Sequence, residues 1–166
     1  MKTKNVVRGA VLTAAALALA LLEGALPLTL VIPLPGIKLG LANVVTMVAV
    51  FSLGAAGAAA VVLCRVFLMF LMTGSATGFL MSLSGSLLAL GGMLLARRFY
   101  PRAVSLFGVS MAGAALHSVG QIACAAVLMQ SGKIVYYLPL LLITSLACGI
   151  LTACAAWVPV ARFGRR

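Results

Sequence analysis

Acidic side chains are almost missing from this sequence of 166 residues: Glu23 is the single one, and there is no aspartate. Against it stand 12 lysines and arginines, yet charged residues of both signs make up only 8% of the chain. A soluble domain usually carries about 25% charged residues. With 64% of its residues hydrophobic, a chain this short could not bury its apolar surface away from water. We therefore expect the lipid bilayer to surround much of it.

The shortage of acids excludes several classes of enzyme. Magnesium is a hard cation that takes oxygen ligands, chiefly carboxylates, and one acid cannot form such a cluster. A carboxylate dyad, a Ser–His–Asp triad and a phosphate-binding Walker loop are also absent from the sequence. We predict that the chain has no catalytic residues, is not itself an enzyme and needs no cofactor.

Metal-binding and disulfide patterns are missing as well. The four cysteines are Cys64, Cys124, Cys148 and Cys154, and no two of them form a C-x-x-C pair. Each lies in an apolar run, which is typical of small buried hydrophobic residues rather than of a disulfide framework or zinc site. His117 is the single histidine and has no cluster of ligands near it in sequence. We predict no metal site.

The basic residues form three clusters, at positions 2–8, 97–102 and 162–166, separated by long apolar stretches. A formal net charge of +11 often indicates nucleic-acid binding. This distribution is instead typical of the cytoplasmic loops of membrane proteins. We predict no nucleic-acid partner.

Six apolar segments approach the length of about 20 residues that a transmembrane helix needs. The predicted spans are 6–26, 39–53, 58–72, 76–96, 103–130 and 136–160. The proline-rich stretch 27–35 cannot be helical throughout, and the Gly-Ala-Ala-Gly sequence at 54–57 predicts a turn. Six spans place both termini and the basic loop 97–102 on one side, which the positive-inside rule assigns to the cytoplasm.

The predicted fold class is therefore an all-α membrane protein, a six-transmembrane-helix bundle forming a single integral membrane domain over residues 1–166. It would cross the cell (inner, cytoplasmic) membrane several times, with both termini cytoplasmic. The first apolar run also resembles a cleaved secretory signal. Its length and the further spans behind it favour a retained helix.

Polar residues within spans are costly in lipid and usually face the bundle interior or a cavity. Arg65 cannot shed its charge and needs a partner or water. It could pair with Glu23, extend to the membrane interface, or hold an anionic group of a ligand or partner. Glu23 is expected nearer the outer face, which argues against a direct pair.

Four further residues are candidates for ligand contacts. His117 and Gln121 are one helical turn apart and share a face, where they either join two helices by hydrogen bonds or contact a polar ligand. Lys38 and Asn43 belong to a segment whose proline and glycines indicate a turn. Lys38 is expected at the outer mouth of the bundle, and Asn43 enters the second span or caps its start.

The first span carries small residues at a spacing of four, namely Ala10, Ala14 and Ala18. In lipid, helices associate through the close packing of small residues. This row predicts either ordinary packing within the bundle or a docking face for another membrane subunit.

Four sequence elements resemble the Gx transporter family, also described as the heptaprenyl diphosphate synthase component I family. They are PGIKLGLANVVT at 35–46, RVFL at 65–68, SGS at 84–86 and HSVGQ at 117–121. They cover nearly the whole chain in the same order as in the family, and the first is the most specific. Ser118 stands where the family pattern has asparagine.

That family is in turn similar to the S components of energy-coupling-factor vitamin transporters. The resemblance implies six helices, a ligand pocket near the outer side, and a docking face on the first helix that matches Ala10, Ala14 and Ala18. The segment 38–43 looks like the one that opens the second helix in flavin-type S components, with Gly40 and Asn43 in place of two acids.

The leading hypothesis is a membrane-embedded small-molecule-binding and transport subunit without its own ATPase. It would bind a vitamin-like or isoprenoid-like ligand through Lys38, Asn43, Arg65, His117 and Gln121, with the loop 27–35 as a gate. A transmembrane coupling subunit and ATPases would be its partners.

Two alternatives stay open. The synthase name implies a non-catalytic membrane subunit of polyprenyl diphosphate or quinone synthesis, since the chain lacks the carboxylates that such synthesis usually requires. Other members of the family imply an accessory role in flavin-linked extracytosolic electron transfer.

Overall fold

Five long apolar helices make up most of the computed structural model, which describes residues 3–25 and 40–163. They are α1 (Thr3–Gly24), α2 (Asn43–Thr73), α3 (Ala76–Arg97), α4 (Leu106–Leu128) and α5 (Leu138–Phe163), with a short 3₁₀ helix, Gly132–Tyr137, before α5. Each of the five is long and apolar enough to cross a membrane. The chain is thus an all-helical, multi-pass membrane protein in contact with the lipid bilayer.

The α2 helix is interrupted at Gly54, whose φ of 75° and ψ of −171° are not helical. Only glycine adopts this region of conformational space readily. We call the part before Gly54 α2a (residues 43–53) and the part after it α2b (residues 55–73). The break coincides with the turn that the sequence predicts at 54–57.

The two parts of α2 run in opposite directions along α1. Gly40 and Leu41, just before α2a, donate hydrogen bonds to Glu23 near the end of α1, whereas Leu53 at the end of α2a packs against Gly9 near its start. The α2b part then returns, so that a methionine in its last turns lies against Gly24. The chain therefore reverses at Gly54.

The predicted six spans differ from this arrangement at one place. The described parts of the two predicted spans 39–53 and 58–72 that are helical, residues 43–53 and 58–72, belong to one element broken at Gly54. An 11-residue helix such as α2a is about 16 Å long, roughly half the thickness of a hydrocarbon core. The described part of the chain therefore holds five membrane-length helices, and α2a is a short sixth segment packed inside the bundle.

The α3 and α4 helices pack most closely, through glycines. A β carbon on Gly120 would lie 2.8 Å from the Gly85 Cα and 2.8 Å from the Ser84 carbonyl oxygen. The Ser84 hydroxyl donates a 3.0 Å hydrogen bond to the Gly120 carbonyl. Such close backbone approach is how helices gain packing energy in lipid, where hydrophobic burial cannot drive association.

Most described basic residues lie at one end of the bundle, which we call the basic end. It is formed by Lys4, Arg8, Arg97, Arg98, Arg102 and Arg162. Arg8 lines a groove with Ser52, and Arg97 donates a hydrogen bond to the Val50 carbonyl beside the Gly54 turn. We call the opposite end, where α1 ends and Lys133 follows α4, the Glu23 end.

Candidate functional site

Six polar side chains are buried together in the half of the bundle nearer the Glu23 end. We call them the polar cluster; they are Glu23 (2% exposed), Asn43 (2%), Arg65 (3%), Ser86 (1%), His117 (3%) and Gln121 (0%). Helices α1 to α4 each contribute at least one of them. Cys148 on α5 is within electrostatic range of Glu23.

Arg65 is anchored inside the bundle by α3. It lies on the buried face of α2b, one helical turn from Val61 and Met69, and its Nη2 donates a 2.5 Å hydrogen bond to the Ser86 hydroxyl. The Glu23 carboxylate is close enough to interact electrostatically with the guanidinium. Because Arg65 is only 3% exposed, the hypothesis that it extends to the membrane interface is wrong.

Glu23 joins the end of α1 to the start of α2a. Its Oε1 accepts a 2.5 Å hydrogen bond from the Gly40 N–H, and its Oε2 accepts one of 3.2 Å from the Leu41 N–H. Carboxylates form such charge-assisted bonds at roughly twice the strength of neutral ones. Glu23 thereby fixes the backbone that carries Asn43 into the bundle.

Gly40 lets three members of the polar cluster approach one another. Its φ is 86°, a conformation that favours glycine, and a β carbon there would lie 2.8 Å from the Asn43 Nδ2 and 3.3 Å from the His117 Cδ2. A side chain at position 40 would therefore collide with Asn43 and press on His117. The glycine keeps Glu23, Asn43 and His117 around one backbone segment.

His117 and Gln121 meet α3 at Gly85. A β carbon on Gly85 would lie 2.9 Å from the His117 carbonyl oxygen, 3.1 Å from its Cε1 and 3.0 Å from the Gln121 Cγ. Ser86, the next residue, binds Arg65 from the other side. The turn of α3 at 85–86 thus separates Arg65 on α2b from His117 on α4.

Two donors of the polar cluster have no hydrogen-bond partner among the described residues: the Asn43 Nδ2 and the Arg65 Nε. Leaving such a group unsatisfied costs about 1–3 kcal/mol when it is neutral, and more when it is charged. Both atoms are donors, and both belong to side chains at least nine-tenths buried. The arrangement can therefore bind a group rich in acceptor oxygens, such as a carboxylate or a phosphate.

The other predicted site residues lie elsewhere. Lys38 and the loop 27–35 lie outside the described residues. Ala10, Ala14 and Ala18 are exposed on α1 and are not part of the polar cluster. Ala10 and Ala14 line an apolar groove of about 620 Å³ between α1 and α2b, whose other wall includes Gly57.

Sequence reasoning did not select Ser86, Gly40 or Gly85 as site residues. Serine and glycine are common throughout these spans, and neither is costly enough in a membrane to attract notice on its own. The segment SGS at 84–86 contributes to the family resemblance but has no feature that predicts a site residue on its own. Its importance depends on which helix faces it, and a single sequence does not give that information.

A sequence profile described as heptaprenyl diphosphate synthase component I matches residues 12–158 of the chain. The matched region contains the whole polar cluster and the Gly54 turn. No curated protein and no solved structure matches the chain.

Proposed function

The chain belongs to the heptaprenyl diphosphate synthase component I family, and we propose that it is a membrane-embedded subunit that binds a small anionic molecule within its helical bundle. The observation that carries this proposal is the pair of buried donors without partners, the Asn43 Nδ2 and the Arg65 Nε. Bilayer-spanning proteins seldom keep such groups unless they serve a ligand or ion pathway.

The chemistry of the polar cluster favours a ligand with a carboxylate or phosphate group. Arg65 has five N–H donors in a planar fork, and its one described hydrogen bond leads to Ser86. His117 and Gln121 add polar groups on the α4 side. An anionic ligand with an apolar body, of the vitamin-like or isoprenoid-like kind, would suit a cluster enclosed by apolar helices.

The proposal includes an orientation. The positive-inside rule places the basic end in the cytoplasm, which puts the polar cluster in the outer half of the bundle. There the short α2a, packed against α1 as a sixth helical segment, would open the ligand site toward the outer face, with Lys38 and the loop 27–35 at its mouth. This is the six-helix, S-component-like arrangement that the family resemblance implies.

If the subunit takes part in transport, energy has to come from other chains, because its sequence has no nucleotide-binding motif. We propose the exposed row Ala10, Ala14 and Ala18, with the groove beside it, as the place where a transmembrane coupling subunit docks. Small residues allow the close helix approach that association in lipid requires.

Mass spectrometry of the protein purified gently from native membranes tests the binding function. We expect one anionic small molecule to be enriched over a control membrane protein of similar size, and a coupling subunit with its ATPases to be recovered in the same preparation. Absence of any enriched small molecule would refute the binding proposal. Recovery of the ligand without ATPases would refute only the transport part.

The family description favours a second candidate, a non-catalytic membrane subunit of polyprenyl diphosphate synthesis. In that case a soluble partner would supply the acidic residues that hold magnesium. Prenyl transfer by that partner, measured with and without this chain in liposomes, distinguishes the two candidates. An unchanged rate and product length would rule the second candidate out.

A further inference from the structure

The basic end contains a groove that the polar cluster does not involve. It has a volume of about 330 Å³ and is lined by Ala55, Leu94, Arg97 and Arg98. It lies between the start of α2b and the end of α3, at a helix end that we expect to lie among the lipid headgroups. A groove of this size is at the lower end of the range for small-molecule sites, about 300–1,000 Å³.

Arg97 lines one wall of the groove and contacts α2a. Its Nη1 donates a hydrogen bond to the Val50 carbonyl at the end of α2a, and its guanidinium lies 5.2 Å from the centroid of the Phe51 ring. Tyr100 packs edge-on against the same ring at 5.2 Å. Within the described part of the chain this bond uses one of the five N–H groups of Arg97. Further donors of the same guanidinium therefore border the groove.

Arg98 supplies a second, exposed cation. Ala55, at the start of α2b, lines the groove as well, and the N-terminal end of a helix carries a partial positive charge. Two guanidinium groups and a helix start combine to attract a negatively charged group with several oxygens, such as a phosphate.

The neighbouring surface is apolar and faces lipid. Leu95 is 59% exposed and Phe99 is 55% exposed, and Leu87 and Leu88 continue an exposed apolar face along α3. A free phosphate ion would gain nothing from these side chains. The acyl chains of a lipid would cover them while its headgroup lies in the groove.

We propose that the groove between α2b and α3 binds the headgroup of an anionic phospholipid. The phosphate would be held by Arg97 and Arg98, and the acyl chains would run along the exposed face of α3. The bound headgroup would also shield the Gly54 turn from water at the membrane surface. This inference does not depend on the proposed function of the polar cluster.

The experiment compares Arg98→Gln with Arg102→Gln, a matched control that removes an equally exposed charge from the same end but outside the groove. Binding of phosphatidylglycerol, and of phosphatidylcholine with the same acyl chains, is measured by native mass spectrometry of the delipidated protein. A salt concentration of about 0.15 M limits charge effects to roughly 8 Å. Circular dichroism checks that both variants stay folded.

We expect wild-type protein to prefer phosphatidylglycerol, Arg98→Gln to lower that affinity about fivefold, and Arg102→Gln to leave it unchanged. An equal loss in both variants would mean general surface attraction and would overturn the proposal. So would equal binding of the two lipids. If inorganic phosphate alone protects the protein against heat as well as the lipid does, the lipid assignment is wrong.

Discussion

Arg65 illustrates how a buried charge is accommodated between apolar helices. Among the described residues it has one hydrogen bond, to Ser86, an electrostatic partner in Glu23, and an Nε without a partner. A charge near the middle of a membrane is expensive whenever it is only partly compensated. The proposed ligand would supply a partner for the remaining donor.

The coupling between Glu23 and Arg65 can be tested by a double-mutant cycle. Glu23→Gln removes the charge that accepts two backbone hydrogen bonds, so we expect it to destabilise the protein by about 1.5–3 kcal/mol. Arg65→Gln should also destabilise it. The double variant should lose less than the sum, because each single change leaves the other charge buried without its counterpart.

Unfolding in detergent, followed by circular dichroism, measures all four proteins of this cycle. Effects that add to within about 0.5 kcal/mol would show that the two residues act independently. That result would contradict the electrostatic link between α1 and α2b.

Sequence alone indicated Asn43, Arg65, His117 and Gln121 because polar residues are rare and costly within apolar spans. It did not indicate how these residues group. Glu23 was expected to lie nearer the outer face and not to pair directly with Arg65; its carboxylate binds the Gly40 and Leu41 N–H groups and is within electrostatic range of Arg65. Such pairing depends on helix packing, which is a property of the folded bundle.

At the scale of the elements, the reversal of the chain at Gly54 predicts that Gly54→Ala destabilises the protein. A β carbon there would meet nothing within 4 Å, so any cost of Gly54→Ala comes from the backbone conformation alone. We expect a loss of about 1–3 kcal/mol in the free energy of unfolding.

Gly91→Ala is the matched control for this substitution. A β carbon added to Gly91 would also meet nothing within 4 Å. Gly91 is inside the regular α3 helix, where alanine is a better helix former than glycine. We expect this variant to be as stable as the wild type or more so. Equal stability of both variants would mean that the chain does not reverse at Gly54 in this conformation.

The contact between α3 and α4 predicts a different kind of effect at Gly120. Gly120→Ala would place a methyl group 2.8 Å from backbone atoms of Gly85 and Ser84, and backbone cannot move aside as a flexible side chain can. We expect a loss of about 1–3 kcal/mol from overpacking, measured by thermal unfolding beside the same Gly91→Ala control. A normal unfolding temperature would contradict the close crossing of these helices.

The boundaries of α3 were predicted more closely than those of α4. The predicted span 76–96 agrees closely with α3, since Ser75 caps it by accepting a 3.1 Å hydrogen bond from the Gly78 N–H. The span 103–130 was predicted too long at both ends. Ser105 caps α4 in the same way, so the helix starts at Leu106, and hydropathy alone does not detect that cap.

At the scale of the whole molecule, the separation of charge makes the orientation testable. Single cysteines replacing Arg102 at the basic end and Lys133 at the opposite end, in a background without the four native cysteines, are exposed to a membrane-impermeant thiol reagent. We expect position 133 to react in intact cells and position 102 only after the membrane is opened. The reverse pattern would contradict a cytoplasmic basic end.

Composition was sufficient to predict the class of the molecule. Sparse charge and long apolar runs indicated a multi-pass helical protein, and the five membrane-length helices confirm this. The described residues hold five membrane-length helices, and the count of six spans stays a prediction, because α2a is a separate helical segment that is shorter than a full crossing. The single domain over residues 1–166 and the docking face on α1 stay predictions.

The central claim is that the buried donors of the polar cluster bind a ligand, and Asn43→Leu tests it most directly. This change removes a donor that has no partner and replaces it with an apolar group of similar size. Ser110→Ala is the control, since Ser110 is equally buried but pairs with Thr152 on α5, away from the cluster. The measurement is the amount of small molecule retained by each protein after purification from native membranes.

We predict that wild type and Ser110→Ala retain the same anionic compound, and that Asn43→Leu loses it while unfolding at the same temperature as ligand-free wild type or higher. Loss of the ligand together with unchanged or higher stability would separate binding from folding. An unsatisfied buried donor destabilises the ligand-free protein, so its removal should not lower the unfolding temperature. Equal retention by all three proteins would contradict the account.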